Sequence, residues 1–257
     1  MKAFALTVFH RMTIKNDVPS SPSPYPVSSI LYSDLMLTLV PQGYATEIRR
    51  KNYLHILRKA ASKGAFLEIG PGNGEMLTVA KEAGFSEMAI ADIDTGVVER
   101  IRAWHPDVVA HHVLVGVPLS EVLGLGGYAC IAACHVLEHI PQEHRLRMLK
   151  DCLAMLVPGG TLVLELPNPL CPLGGWANYL TDPTHQFPMS SSGLSKLVFL
   201  AGFTEVAVGP VRPVVSRRSL PGIVRWVLSV GLGKFTNLLG RTSDVRAPTF
   251  YVIARRA

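Results

Sequence analysis

The 257-residue chain reads as an α/β protein built on a doubly wound, mostly parallel sheet of seven strands. Three observations carry that reading. Short apolar runs alternate with helical patterns from residue 65 onward, the rhythm of repeated strand–helix units. The runs lack the polar alternation of a sheet with one wet face, so helices are expected on both sides. A glycine-rich turn joins the first run to the first helix, where open α/β sheets receive their ligands.

Taken in order, residues 1–30 form an N-terminal arm. Its segment 19–29 (PSSPSPYPVSS) carries four Pro and five Ser and predicts an extended linker. Ile48, Tyr53, Ile56 and Leu57 recur at near-helical spacing, with Arg49, Arg50 and Lys51 on the other side, predicting a helix over 44–60. Strands follow at 65–69, 88–92, 108–115, 128–134 and 161–166. Helices are expected between them at 75–82, 96–104, 119–124 and 142–156, the last closed by Pro158-Gly159-Gly160. Residues 167–190 break this rhythm with a Pro/Gly-rich, aromatic-bearing connection that reads as a lid. A helix at 191–201, a strand at 204–208, an insertion at 209–247 and a closing strand at 248–255 complete a single domain over 31–257.

Composition narrows the function classes. Hydrophobic residues make up 48% and charged residues 17%, which excludes disorder along the whole chain. No apolar run of about 18 residues is free of charge, the best (220–239) being interrupted by Arg225 and Lys234. The start, MKAFALTVFHRM, has too short an apolar stretch for a secretory signal. Cys130, Cys134, Cys152 and Cys171 match no metal spacing and are too few for a disulfide framework, so a reducing, cytoplasmic setting is expected.

The sharpest motif is Glu68-Ile69-Gly70-Pro71-Gly72-Asn73-Gly74 at the first strand–helix junction. Its G-x-G-x-G spacing is not the dinucleotide fingerprint, and no G-K-[ST] follows to cradle phosphates. Glu68 would repel a pyrophosphate but suits a cationic ligand. Asp92, about 20 residues on at the end of the second strand, is placed to accept hydrogen bonds from ribose hydroxyls. Asp94 is the better candidate for capping the next helix.

At these residues the sequence resembles the class I S-adenosylmethionine-dependent methyltransferases. E-I-G-P-G-N-G is similar to the family's first motif, A-D-I-D to its second-strand acid, and LEH, a helix and L-V-P-G-G to its segment after the fourth strand. TDPTHQF followed by a helix and AGF resembles the branch that contains ubiquinone-pathway and glycan-modifying enzymes. The resemblance implies S-adenosylmethionine as cofactor. It places Glu68 and Gly70 at the methionine amino group, with Gly72, Asn73 and Gly74 beside it. Asp92 falls on the ribose, Ile93 on the adenine, and His135 next to the methionine portion. The family's acid after the third strand is missing from His111 to Pro118.

Methyl transfer to a hydroxyl needs alignment and a proton acceptor, most easily a histidine. His139 in L-E-H-I and His185 in DPTHQF are the candidates, each also readable as a structural hydrogen-bonding residue. No metal site is expected from His111 and His112, which lack a suitably spaced pair of carboxylates. Trp176, Tyr179 and Phe187 in the lid can stack on a sugar or plug a hydrophobic gap. Residues 220–241, apolar and basic, read as a helix packed on the sheet or on a second subunit, or as an interfacial membrane helix.

The formal charge of +6 concentrates at Arg49–Lys51 and in the late insertion, which favours an anionic membrane or glycan carrier over nucleic acid. The absence of an N-P-P-Y type motif argues the same way. The leading expectation is O-methylation of a sugar or lipid-linked glycan precursor. Methylation of a quinone or phenol, and a non-catalytic scaffold, remain open.

Overall fold

A computed structural model describes residues 43–60, 63–114, 116–172, 175–212, 224, 227–228, 231–232, 234–238 and 244–257. The N-terminal arm lies outside these, as do Arg217, Arg218, Arg225, Trp226 and Arg241 of the insertion.

The sheet has seven strands in the order β3-β2-β1-β4-β5-β7-β6. In chain order these are β1 (Ala65–Ile69), β2 (Met88–Asp92), β3 (Val109–His112), β4 (Tyr128–Cys134), β5 (Leu156–Pro167), β6 (Thr204–Pro210) and β7 (Thr249–Arg255). Neighbours from β3 through β5 pair in parallel, and β7 runs antiparallel to both β5 and β6. The order reverses between β1 and β4. Their carboxyl ends therefore open a crevice, because the connections leave toward opposite flanks.

The helices are α1 (Tyr44–Arg58), α2 (Glu75–Glu82), α3 (Thr95–Trp104), α4 (Leu119–Leu123), α5 (Gln142–Met155), α6 (Gly175–Leu180) and α7 (Ser191–Leu200). One core layer packs α1, α2 and α3 on the sheet through Tyr53, Leu57, Met76, Val79, Val98 and Ile101. The opposite layer packs α4, α5 and α7 through Leu119, Leu149, Cys152, Leu194 and Val198. All seven residues of β4 are buried, as a central strand covered on both faces requires. Each large apolar side chain so buried contributes on the order of 1.5–3 kcal/mol.

Local signals place several boundaries. Asp94 caps α3 by accepting the Gly96 N–H at 2.8 Å, and Ser190 caps α7 by accepting the Gly193 N–H at 3.1 Å. Elsewhere the boundaries move. β5 starts at Leu156, five residues early, because Pro158-Gly159-Gly160 carries the extended chain through an irregular pairing with β4. β3 ends at His112, and the Val113 N–H that follows still donates to the Asp92 carbonyl of β2 at 2.9 Å. The connection after β5 contains a short helix, α6, that its Pro/Gly content hides. All four cysteines are buried free thiols. Among the described residues no helix is long and apolar enough to cross a membrane.

Candidate active site

The crevice has two halves. Under the first lies the turn after β1, where Gly70 and Gly72 take φ of +65° and +56°, backbone angles that exclude most side chains. A Cβ on Gly70 would come within 2.5 Å of Val136 Cγ2, whereas one on Gly72 would meet nothing. Gly70 thus lets the turn pack on the chain after β4, and Gly72 presents bare backbone to the crevice. Asn73 is half-buried next to it, and Gly74 is buried against His105 at the start of α2.

Glu68 lies below this turn, 3% exposed, and its Oε2 has no hydrogen-bond partner. Burial pushes its pKa well above the ordinary carboxylate range, opposed by Arg49 and by the Leu77 backbone N–H. A carboxyl held this way gains its missing partner only from an incoming donor, and an ammonium would restore its charge. Asp92 ends β2 with Oδ1 accepting the Asp94 N–H at 2.8 Å. Burial raises its pKa to about 6. Ile93, next to it, is 54% exposed, an apolar side chain lying open at a strand end.

In the stretch 111–118, which lacks the family's acid, His112 ends β3 in register with Asp92. Its Nε2 lies 3.1 Å from the Ile93 carbonyl. Sequence reasoning assigned His112 to the strand alone. Its pairing with Ile93 depends on the β2–β3 register.

The second half is built on Glu165, near the end of β5. Its buried carboxylate takes hydrogen bonds from Arg49 and Tyr53 of α1 and from His135 Nε2 at 2.9 Å. Burial alone would raise the Glu165 pKa, but Arg49 and His135 hold it down at about 2. His135 follows β4 at φ +57°, and its Nδ1 lies 3.2 Å from Glu138 Oε1. Burial disfavours its charged form. The two carboxylates outweigh that and raise its pKa to about 9, so the imidazolium is the resting state.

Arg49 corrects the expectation of an outward basic face. It turns inward to Glu165, while Arg50 bridges Glu47 and Glu82 on the surface. Helix α1 is thereby a wall of the site. None of Glu165, Arg49 and Tyr53 was expected in the site from sequence, because Arg49 and Glu165 are 116 positions apart.

His139 ends the short 3-10 turn Leu137–His139, and the connection after β5 folds back onto it. The Gln186 N–H donates to the Glu138 carbonyl at 2.8 Å. His139 Nδ1 lies 2.8 Å from Thr184 Oγ1, which donates to Asp182 Oδ1 at 2.6 Å. His185 Nδ1 lies 2.7 Å from the Tyr179 carbonyl, and the His139 and His185 rings are 4.9 Å apart. Burial lowers the His139 pKa, and the neighbouring His185 adds to this against Glu138. The structure therefore brings the two histidine candidates together, with His139 neutral near pH 7. Trp176 and Phe187 are exposed, while Tyr179 is buried against His185.

Comparison with known proteins shows the family and the fold. Residues 42–208 match the family model described as "Methyltransferase domain". A crystal structure of a SAM-dependent methyltransferase from Archaeoglobus fulgidus is similar at 20% identity and a TM-score of 0.61, over 89% of this chain and 100% of that one. One from Mesorhizobium loti, also titled S-adenosylmethionine-dependent, is similar at 17% and 0.56, over 79% and 95%. A structure titled "PigF with SAH" is similar at 16% and 0.54, over 89% and 66%. No sequence match to a curated protein is found.

The family match over residues 42–208, on this seven-stranded fold, makes the chain a class I S-adenosylmethionine-dependent methyltransferase. The chain belongs to the methyltransferase-domain family, and its cofactor is S-adenosylmethionine. The unpartnered Glu68 oxygen, the bare backbone at Gly72 and the open Ile93 side chain fit an elongated ligand with a cationic end and a flat base.

Proposed function

We propose that this chain methylates a hydroxyl of a sugar or lipid-linked glycan precursor. In this reading Glu68, Gly70, Gly72, Asn73 and Gly74 hold the amino-acid end of the cofactor. Asp92 accepts from its ribose, Ile93 covers its base, and His135 lies beside the methionine portion. When bound, the cofactor supplies an electrophilic methyl group on a sulfonium.

The observation that carries the acceptor assignment is the pair His139 and His185, held 4.9 Å apart by the folded-back connection. A hydroxyl must lose its proton for its oxygen to attack, and a neutral buried imidazole accepts one at pH 7. Thr184 and Asp182 hold the His139 ring, and the Tyr179 carbonyl holds the His185 ring. Exposed Trp176 and Phe187 offer flat faces for a sugar, and 167–190 acts as the lid within one domain over 31–257.

Peripheral membrane contact is supported by the insertion. Its described residues Val227, Leu228, Phe235 and Leu238 are exposed and helical, with Lys234 among them. Nucleic acid is a poorer fit, because the Asn168 amide is already used on the Val245 and Ala247 carbonyls.

Isothermal titration with S-adenosylmethionine tests the cofactor half, and absence of binding at millimolar concentration would sink it. Transfer of labelled methyl into separated glycan-lipid and quinone fractions tests the acceptor. Label in the quinone fraction alone transfers the reading to a phenolic hydroxyl, which the same histidines would serve.

A further inference from the structure

We propose that Glu138, His139 and His185 form a binding site for a divalent ion of the zinc, cobalt or iron class. One ligand atom from each of the three lies within 4.8 Å of the other two. Glu138 and His139 are adjacent in the turn after β4, and His185 is brought to them by the connection folded over that turn.

Glu138 is the decisive residue. It is 1% exposed, with Oε1 facing His135 Nδ1 at 3.2 Å, and its Oε2 has no hydrogen-bond partner. A buried carboxylate oxygen left bare is costly, and a cation is the partner that removes the cost. The same residue already serves the His135 imidazolium, so the bare oxygen is not needed to hold the turn.

The histidines are oriented as metal ligands are. His185 presents Nδ1 to the Tyr179 carbonyl at 2.7 Å, and donating there puts the lone pair on Nε2. His139 is tied through Nδ1 to Thr184, and Thr184 to Asp182, a side-chain relay that ends on a carboxylate. Such outer partners fix ring orientation and tautomer. His135 is not a ligand, since both of its nitrogens face carboxylates.

Two imidazoles and one carboxylate suit first-row transition ions and zinc rather than magnesium or calcium, which prefer oxygen. Three protein ligands leave positions open for an incoming oxygen. The role of the ion rests on the hydroxyl-acceptor reading above; where bound, the ion replaces the histidines as the group that activates that hydroxyl. At this point it would hold the acceptor hydroxyl and lower its pKa, with the proton leaving to solvent while the histidines serve as ligands. The expectation of no metal, drawn from His111 and His112, did not weigh this cluster, whose members come together only in the fold.

The test uses the full-length protein, stripped by chelator and titrated with Co2+ followed by visible absorption, with Zn2+ as competitor. One equivalent is expected, displaced by Zn2+. Both Glu138→Gln and His185→Ala should weaken it at least tenfold, and the exposed His55→Ala should leave it unchanged. Should Glu138→Gln fail to fold, His185→Ala decides alone, with a thermal melt reporting its integrity. Absence of a saturable equivalent, or one that neither site variant weakens, overturns the proposal. S-adenosylmethionine binding on the same samples reports the methyltransferase reading separately, because metal titration needs neither cofactor nor acceptor.

Discussion

The two halves of the crevice are made differently. The half at β1 and β2 is local: Glu68 to Gly74 form one turn, and Asp92 and Ile93 end the neighbouring strand. The half at β4 and β5 is a convergence. Glu165 gathers Arg49, Tyr53 and His135 from two other elements, and His185 reaches His139 across a folded-back connection. A local site tolerates changes in the rest of the fold but not a side chain at Gly70, where the turn packs on Val136. A convergent site depends on buried charges that must all stay partnered.

Removing the hub should have the largest effect. Glu165→Ala leaves Arg49 and the His135 imidazolium without their shared carboxylate. Breaking such a buried network costs about 3–5 kcal/mol, visible as a steep drop in denaturant midpoint. The wild-type pair also predicts acid sensitivity. The folded Glu165 pKa lies near 2, below its unfolded value, so its stabilisation is present above about pH 4.5 and is lost as the pH falls toward 2. If Glu165→Ala melts like wild type, the two halves do not differ as described.

The matching change in the local half is Gly70→Val. It places a branched side chain on Val136 at a positive φ, and cofactor affinity by calorimetry should fall more than about a hundredfold. Histidine geometry in the other half should be spared, read as an unchanged Co2+ spectrum.

Asp92→Asn sharpens the contrast, because stability and binding should move in opposite directions. The folded pKa near 6 exceeds the unfolded one, so burying this acid costs nothing below about pH 4. The cost grows through pH 6 and is full above it. At pH 7 the variant should melt higher without ligand, yet bind cofactor about ten- to a hundredfold more weakly, as loss of a charged acceptor implies. Wild-type affinity should correspondingly rise with pH through about 6. A lower melting temperature for the empty variant would contradict this.

Thr184→Val cuts the link between His139 and Asp182 while leaving the fold. Turnover should fall about tenfold with cofactor affinity unchanged, separating the acceptor side from the cofactor side in one measurement. The smallest effect is expected at the exposed Lys81–Asp107 pair, where Lys81→Ala should change neither melting temperature nor turnover measurably.

These contrasts parallel what was legible in the amino-acid order. Strand and helix positions, the glycine turn, Asp92 and the Asp94 cap follow from patterns within a few residues, because apolar period, turn chemistry and capping act over that range. The short helix Gly175–Leu180 was hidden by the prolines and glycines just before it (Pro167, Pro169, Pro172, Gly174), which mark turns more strongly than six residues mark a helix. The start of β5 was hidden for the same reason at Pro158-Gly159-Gly160. Arg49 was read as an outer charge because its neighbours Arg50 and Lys51 are basic, and nothing within the helix reveals that a carboxylate waits 116 residues away.

The sequence by itself determined that this is a methyltransferase-type α/β sheet with its cofactor turn after β1, since backbone geometry at glycine and hydrophobic period are local properties. Only the tertiary structure decided what the acceptor side is made of. The partners of Glu165, the charge on His135, and the meeting of Glu138, His139 and His185 arise from burial, which removes water and makes each buried charge depend on neighbours remote in the chain.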